Sequence, residues 1–321
     1  MRILALILLL ASAASAQIGR AEWFRQARFG VFMHYLSGKD VSTAAEWNRR
    51  IDNFDVEGLA KQLQQTGARY FFITLGQNSG FYLSPNKTYD TYAGYSPSRC
   101  SRRDLVADLY KALEPKGIRL LVYLPAGAPD RDETAMARLQ WKKGPFRNRE
   151  FQNKWEAVIR EWSLRWGKHV KGWWFDGCYW PNTMYRTRDA PNFESFAAGA
   201  RAGNPNSIVA FNPGVINPII SVTPHEDYTA GEINDVDKVK LRRRDGPQLH
   251  MLSYLGSSWS AGSAPRYTDE QIVGWTRDLA ARDVVVTYDV PHLPNGLIPE
   301  AFLAQLTRIS AAVQSSAPAK R

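Results

Sequence analysis

Two acidic residues stand where apolar runs end. Asp176 closes Trp173-Trp174-Phe175-Asp176-Gly177, and Glu232 closes Asp227-Tyr228-Thr229-Ala230-Gly231-Glu232. Burying an unpaired carboxylate is costly, so packing explains an acid at the end of an aromatic strand poorly. A turn or helix-cap aspartate ahead of Gly177 is the plain alternative. Glu226 and Asp227 compete with Glu232 for the second position. Two converging carboxylates among aromatic side chains suit cleavage of a glycosidic bond. One acid protonates the leaving oxygen, while the other attacks or stabilises the developing oxocarbenium centre. Trp47, Trp174, Trp180 and Trp259 fall at or near expected strand ends and loops. There an indole can stack on the apolar face of a sugar ring, with core packing as the competing role. Among His34, His169, His225, His250 and His292 no pair has a zinc-ligand spacing, so neither a metal nor a cofactor is expected.

Elements must bring those residues together. Buried strands are expected over Phe29–Tyr35, Tyr70–Leu75, Arg119–Leu124, Gly172–Phe175, Ser207–Asn212, Asp227–Glu232, Met251–Leu255 and Val284–Val290. Amphipathic stretches lie between them, at Val56–Gln65, Arg103–Leu113, Phe151–His169, Phe193–Ala202, Asp269–Ala281 and Ala301–Val313. Thr268 reads as an N-cap, and Gly67, Gly117 and Gly203 as C-caps. Eight strands alternating with helices imply an α/β fold, a single-domain (β/α)8 TIM-like barrel, with an open doubly wound sheet as the alternative. No Gly-rich dinucleotide fingerprint follows the first strand, which runs on as His34-Tyr35-Leu36-Ser37-Gly38. In such a barrel the chemistry sits at the C-terminal strand ends. His34, Gln77, Asn78, Tyr123, Asp176, Asn212 and Glu232 all stand there.

Composition excludes other classes. The chain has 321 residues, 44% of them hydrophobic and 22% charged, which is too apolar for a disordered protein. A formal charge of +10 is spread over the chain, and the run Arg242-Arg243-Arg244 stops at Asp245, so no basic stripe marks a nucleic-acid groove. Residues 1–16 read as a signal peptide: Arg2, an apolar stretch from Ile3 to Ala11, and Ala14-Ser15-Ala16 ahead of a cleavage site. The expected product is secreted or periplasmic, with no membrane attachment after cleavage. A barrel over 17–314 and a disordered tail over 315–321 complete the expected organisation. Cys100 and Cys178 could pair in an exported chain or stay as buried thiols.

Several motifs in order resemble the α-L-fucosidases of glycoside hydrolase family 29. Trp23-Phe24-Arg25-Gln26-Ala27-Arg28-Phe29-Gly30-Val31-Phe32-Met33-His34 is similar to that family's entry into its first barrel strand. Glu46-Trp47 resembles its Glu-Trp-Tyr segment, Arg103-Asp104-Leu105-Val106 its Arg-Asp-Leu-Val, and Trp174-Phe175-Asp176-Gly177 its nucleophile strand. Asp227 to Glu232 resembles the segment ending in the acid/base glutamate, and Asn295-Gly296-Leu297-Ile298-Pro299 its Asp-Gly-x-Ile-Pro. The resemblance spans residues 22 to 312. It implies a retaining exo-glycosidase acting on terminal α-L-fucosyl residues of glycans, with Asp176 as nucleophile and Glu232 as acid/base. It further implies that His34, Glu46, Trp47, Tyr123 and Trp174 line the sugar subsite.

The chain departs from the pattern in three places. The family's Lys-His-His-Asp-Gly-Phe is Gly76-Gln77-Asn78-Ser79-Gly80-Phe81, so amides replace two imidazoles as substrate-binding candidates. Its Asn-Asp-Arg is Asn212-Pro213-Gly214, and its Trp-Glu stretch reads Gln248-Leu249-His250. These changes leave a hydrolase of different sugar specificity, or a non-catalytic carbohydrate-binding barrel, as alternatives to a fucosidase.

Overall fold

Seven runs rich in aromatic and β-branched residues form one sheet in the computed structural model, which describes residues 19–315 except 145, 180–184 and 243–245. The expected leader, the tail beyond 315, Trp180 and the stretch from Arg243 to Asp245 lie outside the described residues. The strands are β1 Phe29–Met33, β2 Tyr70–Thr74, β3 Arg119–Pro125, β4 Val170–Asp176, β5 Ile208–Phe211, β6 His250–Tyr254 and β7 Val285–Asp289. All pair in parallel, in the order β5-β4-β3-β2-β1-β7-β6. The strands are almost wholly buried because both faces are covered, which is why they read as continuous apolar runs rather than alternating ones.

The helices are α1 (residues 19–27), α2 Ala44–Asp52, α3 Val56–Thr66, α4 Lys87–Ala93, α5 Leu105–Leu113, α6 Glu133–Leu139, α7 Arg149–Trp166, α8 Phe193–Ala200, α9 Asp269–Ala281 and α10 Glu300–Ser315. Local chemistry sets their ends. Asp55 caps α3 through the Gly58 amide, Asp104 caps α5 through Ala107, and Thr268 forms a capping box with Gln271 on α9. Gly67, with φ of 73°, ends α3 in the left-handed conformation that glycine favours. Gly203 does not cap a helix: α8 ends at Ala200, and a Cβ on Gly203 would lie 1.9 Å from the Ser163 carbonyl oxygen. Its role is close packing against α7. The short helices α2, α4 and α6 were not expected: each spans about two turns and buries only two or three residues, too few to establish a period.

The sheet is curled. Phe32, Phe72, Leu121, Trp174, Ala210, Leu252 and Val285, one from each strand, belong to a single buried cluster. A flat sheet could not bring its two edges, β5 and β6, into one interior. Phe24 of α1 closes the floor of this cluster against Tyr70, Tyr228 and His250. The second, larger core lies between the outer sheet face and the helices.

The expected strand Asp227–Glu232 is a correction. The segment lies between β5 and β6, but its parallel pairing survives only at Tyr228 with Gln248 and at Glu232 with Leu252. Gly231, with φ of 64°, breaks the pleat between them, and the His250 amide donates to Thr229 Oγ1 instead of a backbone carbonyl. On the β5 side, carboxylates replace carbonyls as acceptors: Val209 N donates to Asp227 Oδ2 and Phe211 N to Glu226 Oε2. The result is one α/β domain with a seven-stranded, all-parallel, curled sheet rather than an eight-stranded ladder. Cys100 and Cys178 are both buried free thiols.

Candidate active site

At the C-terminal end of β4 the chain leaves the sheet and Asp176 is held from several sides. Its Oδ1 accepts from the Gly177 amide at 2.8 Å and from Asn212 Nδ2 at 2.8 Å, with the Tyr179 hydroxyl at 3.5 Å. Its Oδ2 accepts from the Tyr123 hydroxyl at 2.6 Å. Tyr123 lies beside Trp174 in the β3–β4 register and stacks on it at a centroid distance of 5.2 Å. Gln77 Nε2 donates to the same phenol oxygen at 2.7 Å, leaving the phenol's proton for Asp176.

Asn212, just past β5, is fully buried and joins the two acids. Its Nδ2 also donates to Glu232 Oε2 at 2.5 Å. Two bonds from one nitrogen place Asp176 Oδ1 and Glu232 Oε2 at most about 5.3 Å apart. Burial pushes the Glu232 carboxyl above its ordinary pKa, and the nearby Asp176 charge pushes it further, against the lowering effect of Asn212 and His34.

Asp176 and Glu232 face a cavity of about 230 Å³. His34, Gln77, Tyr123 and Trp174 form part of its wall, so six of the expected site residues meet there. His34 Nδ1 is bonded to Asp289 at 2.8 Å. Trp174 Nε1 donates to the Ala230 carbonyl at 3.0 Å, which fixes the indole and ties β4 to the segment carrying Glu232.

Three expected residues lie elsewhere. Glu46 is the N3 residue of the α2 capping box and accepts from Ser42 N, Ser42 Oγ and Thr43 N, contacts that draw its carboxyl down to about 2. Trp47 is buried core, donating from Nε1 to the Tyr82 carbonyl at 2.8 Å. Asn78 is absent from the cavity wall, and its carbonyl accepts from Arg131 N at 2.9 Å. Neither competitor of Glu232 faces the cavity. Asp227 is fully buried, paired with Arg20 and Arg201, and Glu226 is buried with its Oε1 on Val222 N.

The cavity also contains residues that sequence reasoning left out of the site: Phe32, Leu36, Leu252 and Ser260, with Trp259 known only as one of several indoles. Asp289 was missed because the expected strand ran on to Val290. With β7 ending at Asp289, the strand-end rule that found Asp176 would have found it too. Among the described residues no group of three or more His, Cys, Asp or Glu side chains is placed to hold a metal ion.

Comparison with known proteins bears on the family and the fold. The family model described as alpha-L-fucosidase matches residues 41–316. An endo-fucoidan hydrolase of glycoside hydrolase family 107 superposes with a TM-score of 0.74 at 20% identity, over 94% of this chain and 54% of that one. This chain thus spans about half the length of that enzyme. The unliganded α-L-fucosidase of Lactobacillus casei gives a TM-score of 0.63 at 16% identity, covering 93% of this chain and 99% of that one. A Thermotoga maritima α-L-fucosynthase, in complex with a fucosyl-fucose azide, gives 0.60 at 16% identity, over 90% and 73% of the two chains. No curated protein sequence matches at a significant level. At these identities the structural likeness establishes the fold.

Proposed function

This chain belongs to the α-L-fucosidase family of glycoside hydrolases, and on that premise we propose that it is a retaining exo-α-L-fucosidase with Asp176 as nucleophile and Glu232 as acid/base. The observation that carries the proposal is the single Asn212 amide nitrogen bonded to both carboxylates. It limits their separation to about 5.3 Å between the bonded oxygens, in keeping with the ~5–5.5 Å of retaining enzymes and short of the ~6.5–9.5 Å that an inverting enzyme needs for its water.

An Asp176 oxygen attacks the anomeric carbon as the glycosidic C–O bond breaks. The leaving oxygen takes the Glu232 proton. Glu232, now a carboxylate, removes a proton from water, whose oxygen attacks the same carbon, expels Asp176 and releases the sugar with its configuration retained. Burial and the Asp176 charge favour the protonated Glu232 that the first step requires. Tyr123, Gly177 and Asn212 orient the nucleophile. A cavity of about 230 Å³ with Trp174 and Trp259 in its wall suits one pyranose ring with an apolar face. Residues 1–16 fit export, with cleavage after Ala16 and a glycan as the substrate met outside the cytoplasm.

The test is hydrolysis of an aryl α-L-fucoside followed by NMR at early times. We expect α-L-fucose as the first product. The β-anomer as first product would refute the retaining mechanism. Release of internal fragments from a fucan, without attack on terminal fucose, would refute the exo assignment. Inertness towards fucoside beside active cleavage of galactoside, arabinoside or rhamnoside would move the specificity to another sugar, and binding without any cleavage would make the barrel a lectin.

A further inference from the structure

Asp289 is fully buried at the end of β7, yet nothing in the proposed chemistry uses it. A carboxylate withdrawn from water needs strong donors. It has two, from the elements on either side of β7. Its Oδ1 takes the His34 Nδ1 hydrogen at 2.8 Å, from just beyond β1, and its Oδ2 takes the Ser260 amide at 2.6 Å, from the loop after β6. The same loop is tied by the Leu255 amide donating to the Asp289 carbonyl at 3.0 Å, and by Ser260 Oγ donating to the His34 carbonyl at 3.2 Å.

Ser260 is strained. Its φ of 56° lies in the left-handed region, at the third position of a tight turn in which Ala261 N donates to Ser258 O at 3.2 Å. Glycine is the residue suited to that position. A serine keeps such a conformation only where its surroundings hold it, and here the holding group is Asp289. The turn presents Trp259 and Ser260 to the cavity, and the Trp259 ring meets the His34 ring edge-on at 5.8 Å.

We propose that Asp289 is a positioning residue that builds the sugar-binding wall formed by His34, Trp259 and Ser260. The inference rests on the fucosidase reading of the site. Because the hydrogen is committed on Nδ1, His34 meets the cavity through Nε2, which among the described residues carries no protein hydrogen bond. The one carboxylate thereby sets both the hydrogen-bonding atom offered to a sugar hydroxyl and the placement of an indole for the ring's apolar face. No side chain other than a carboxylate has two acceptor oxygens for two such donors. An asparagine in its place would accept from the Ser260 amide and turn its own N–H towards His34 Nδ1, which moves the ring hydrogen to Nε2 and reverses the group offered to the cavity.

The experiment is Asp289→Asn, assayed on an aryl α-L-fucoside, with ¹⁵N NMR of His34 in both proteins. We expect KM to rise about tenfold or more while kcat stays within about threefold, the signature of binding lost equally from ground and transition states. In the wild type the Nδ1 hydrogen should be observed, and L-fucose should move the Nε2 resonance but not that of Nδ1. An active wild type whose Asp289→Asn variant keeps its KM would overturn this inference alone, whereas a folded wild type inert to every fucoside would overturn the fucosidase reading. Should Asp289→Asn fail to fold, the wild-type spectrum decides: a His34 without a hydrogen on Nδ1 overturns the proposal.

Discussion

Residues 226–232 carry three carboxylates within seven positions, and the protein treats its two ends oppositely. At the start, Asp227 is fully buried and met by two guanidinium groups, Arg20 at 2.9 Å and Arg201 at 2.6 Å, while the Glu226 carboxyl takes backbone amides of Val222 and Phe211. At the far end Glu232 receives one amide hydrogen, faces a cavity and has another carboxylate as its neighbour. A structural carboxylate is neutralised or enclosed. A carboxylate suited to acid/base chemistry is left beside a like charge and open to a ligand. The contrast separates the two roles better than burial does, since all three acids are at least partly withdrawn from water.

The largest expected effects come from the cavity pair. Asp176→Gly should lower turnover by about 10³-fold or more with the fold intact, and azide should restore part of it. Glu232→Ala should cost about 10²–10⁴-fold on substrates with poor leaving groups and much less on activated aryl fucosides. Equal losses on both substrate types would return Glu232 to the structural class.

Asp227→Asn should do the reverse. It leaves Arg20 and Arg201 facing a neutral amide and should destabilise the fold by about 2 kcal/mol in urea unfolding, below the ~3–5 kcal/mol of a fully buried pair because both arginines keep some water. The kcat of the folded variant should change by less than about threefold. A large kcat loss at full stability would erase the distinction between the two ends.

The remaining effect concerns Glu226 and is read against pH. Burial raises its carboxyl to about 8 from an ordinary 4.5. The folded protein then holds a proton that the unfolded chain releases, so this group's contribution to stability is complete below about 4.5 and is lost as the pH rises to about 8. Glu226→Gln removes the titration, and the drop in melting temperature from pH 5 to pH 8 should shrink. An unchanged drop would show that Glu226 is already ionised in the fold.

Strands and the place of Asp176 were the most legible features. A parallel strand covered on both faces must be a short apolar run, and Asp176 stands out at the end of one. The Asp227–Glu232 segment was misread as a strand because its composition fits one, whereas Gly231's positive φ and the side-chain acceptors for β5 depend on the folded surroundings. Glu46 and Trp47 show the limit of a short motif. The same residue types that would suit a sugar subsite serve equally well as a capping box and a core indole. Gln77 and Asn78, adjacent in sequence, part company because the chain turns there, the Gly80 amide donating to the Gln77 carbonyl: one supports Tyr123 at the cavity, and the other is absent from its wall.

Residue type and local pattern alone determined that aromatic runs would form buried strands, that a helix would begin at Thr268, and that Asp176 and Glu232 would end apolar segments. These depend on contacts a few residues long. The partners of each acid depended on the tertiary structure. Asn212 reaches Asp176 across 36 positions and Glu232 across 20, and Asp289 reaches His34 across 255. Such bonds form only when a curled parallel sheet brings strand ends to one rim, and a hydrogen bond made at 2.5–2.8 Å is decided by that curvature, which no local pattern encodes.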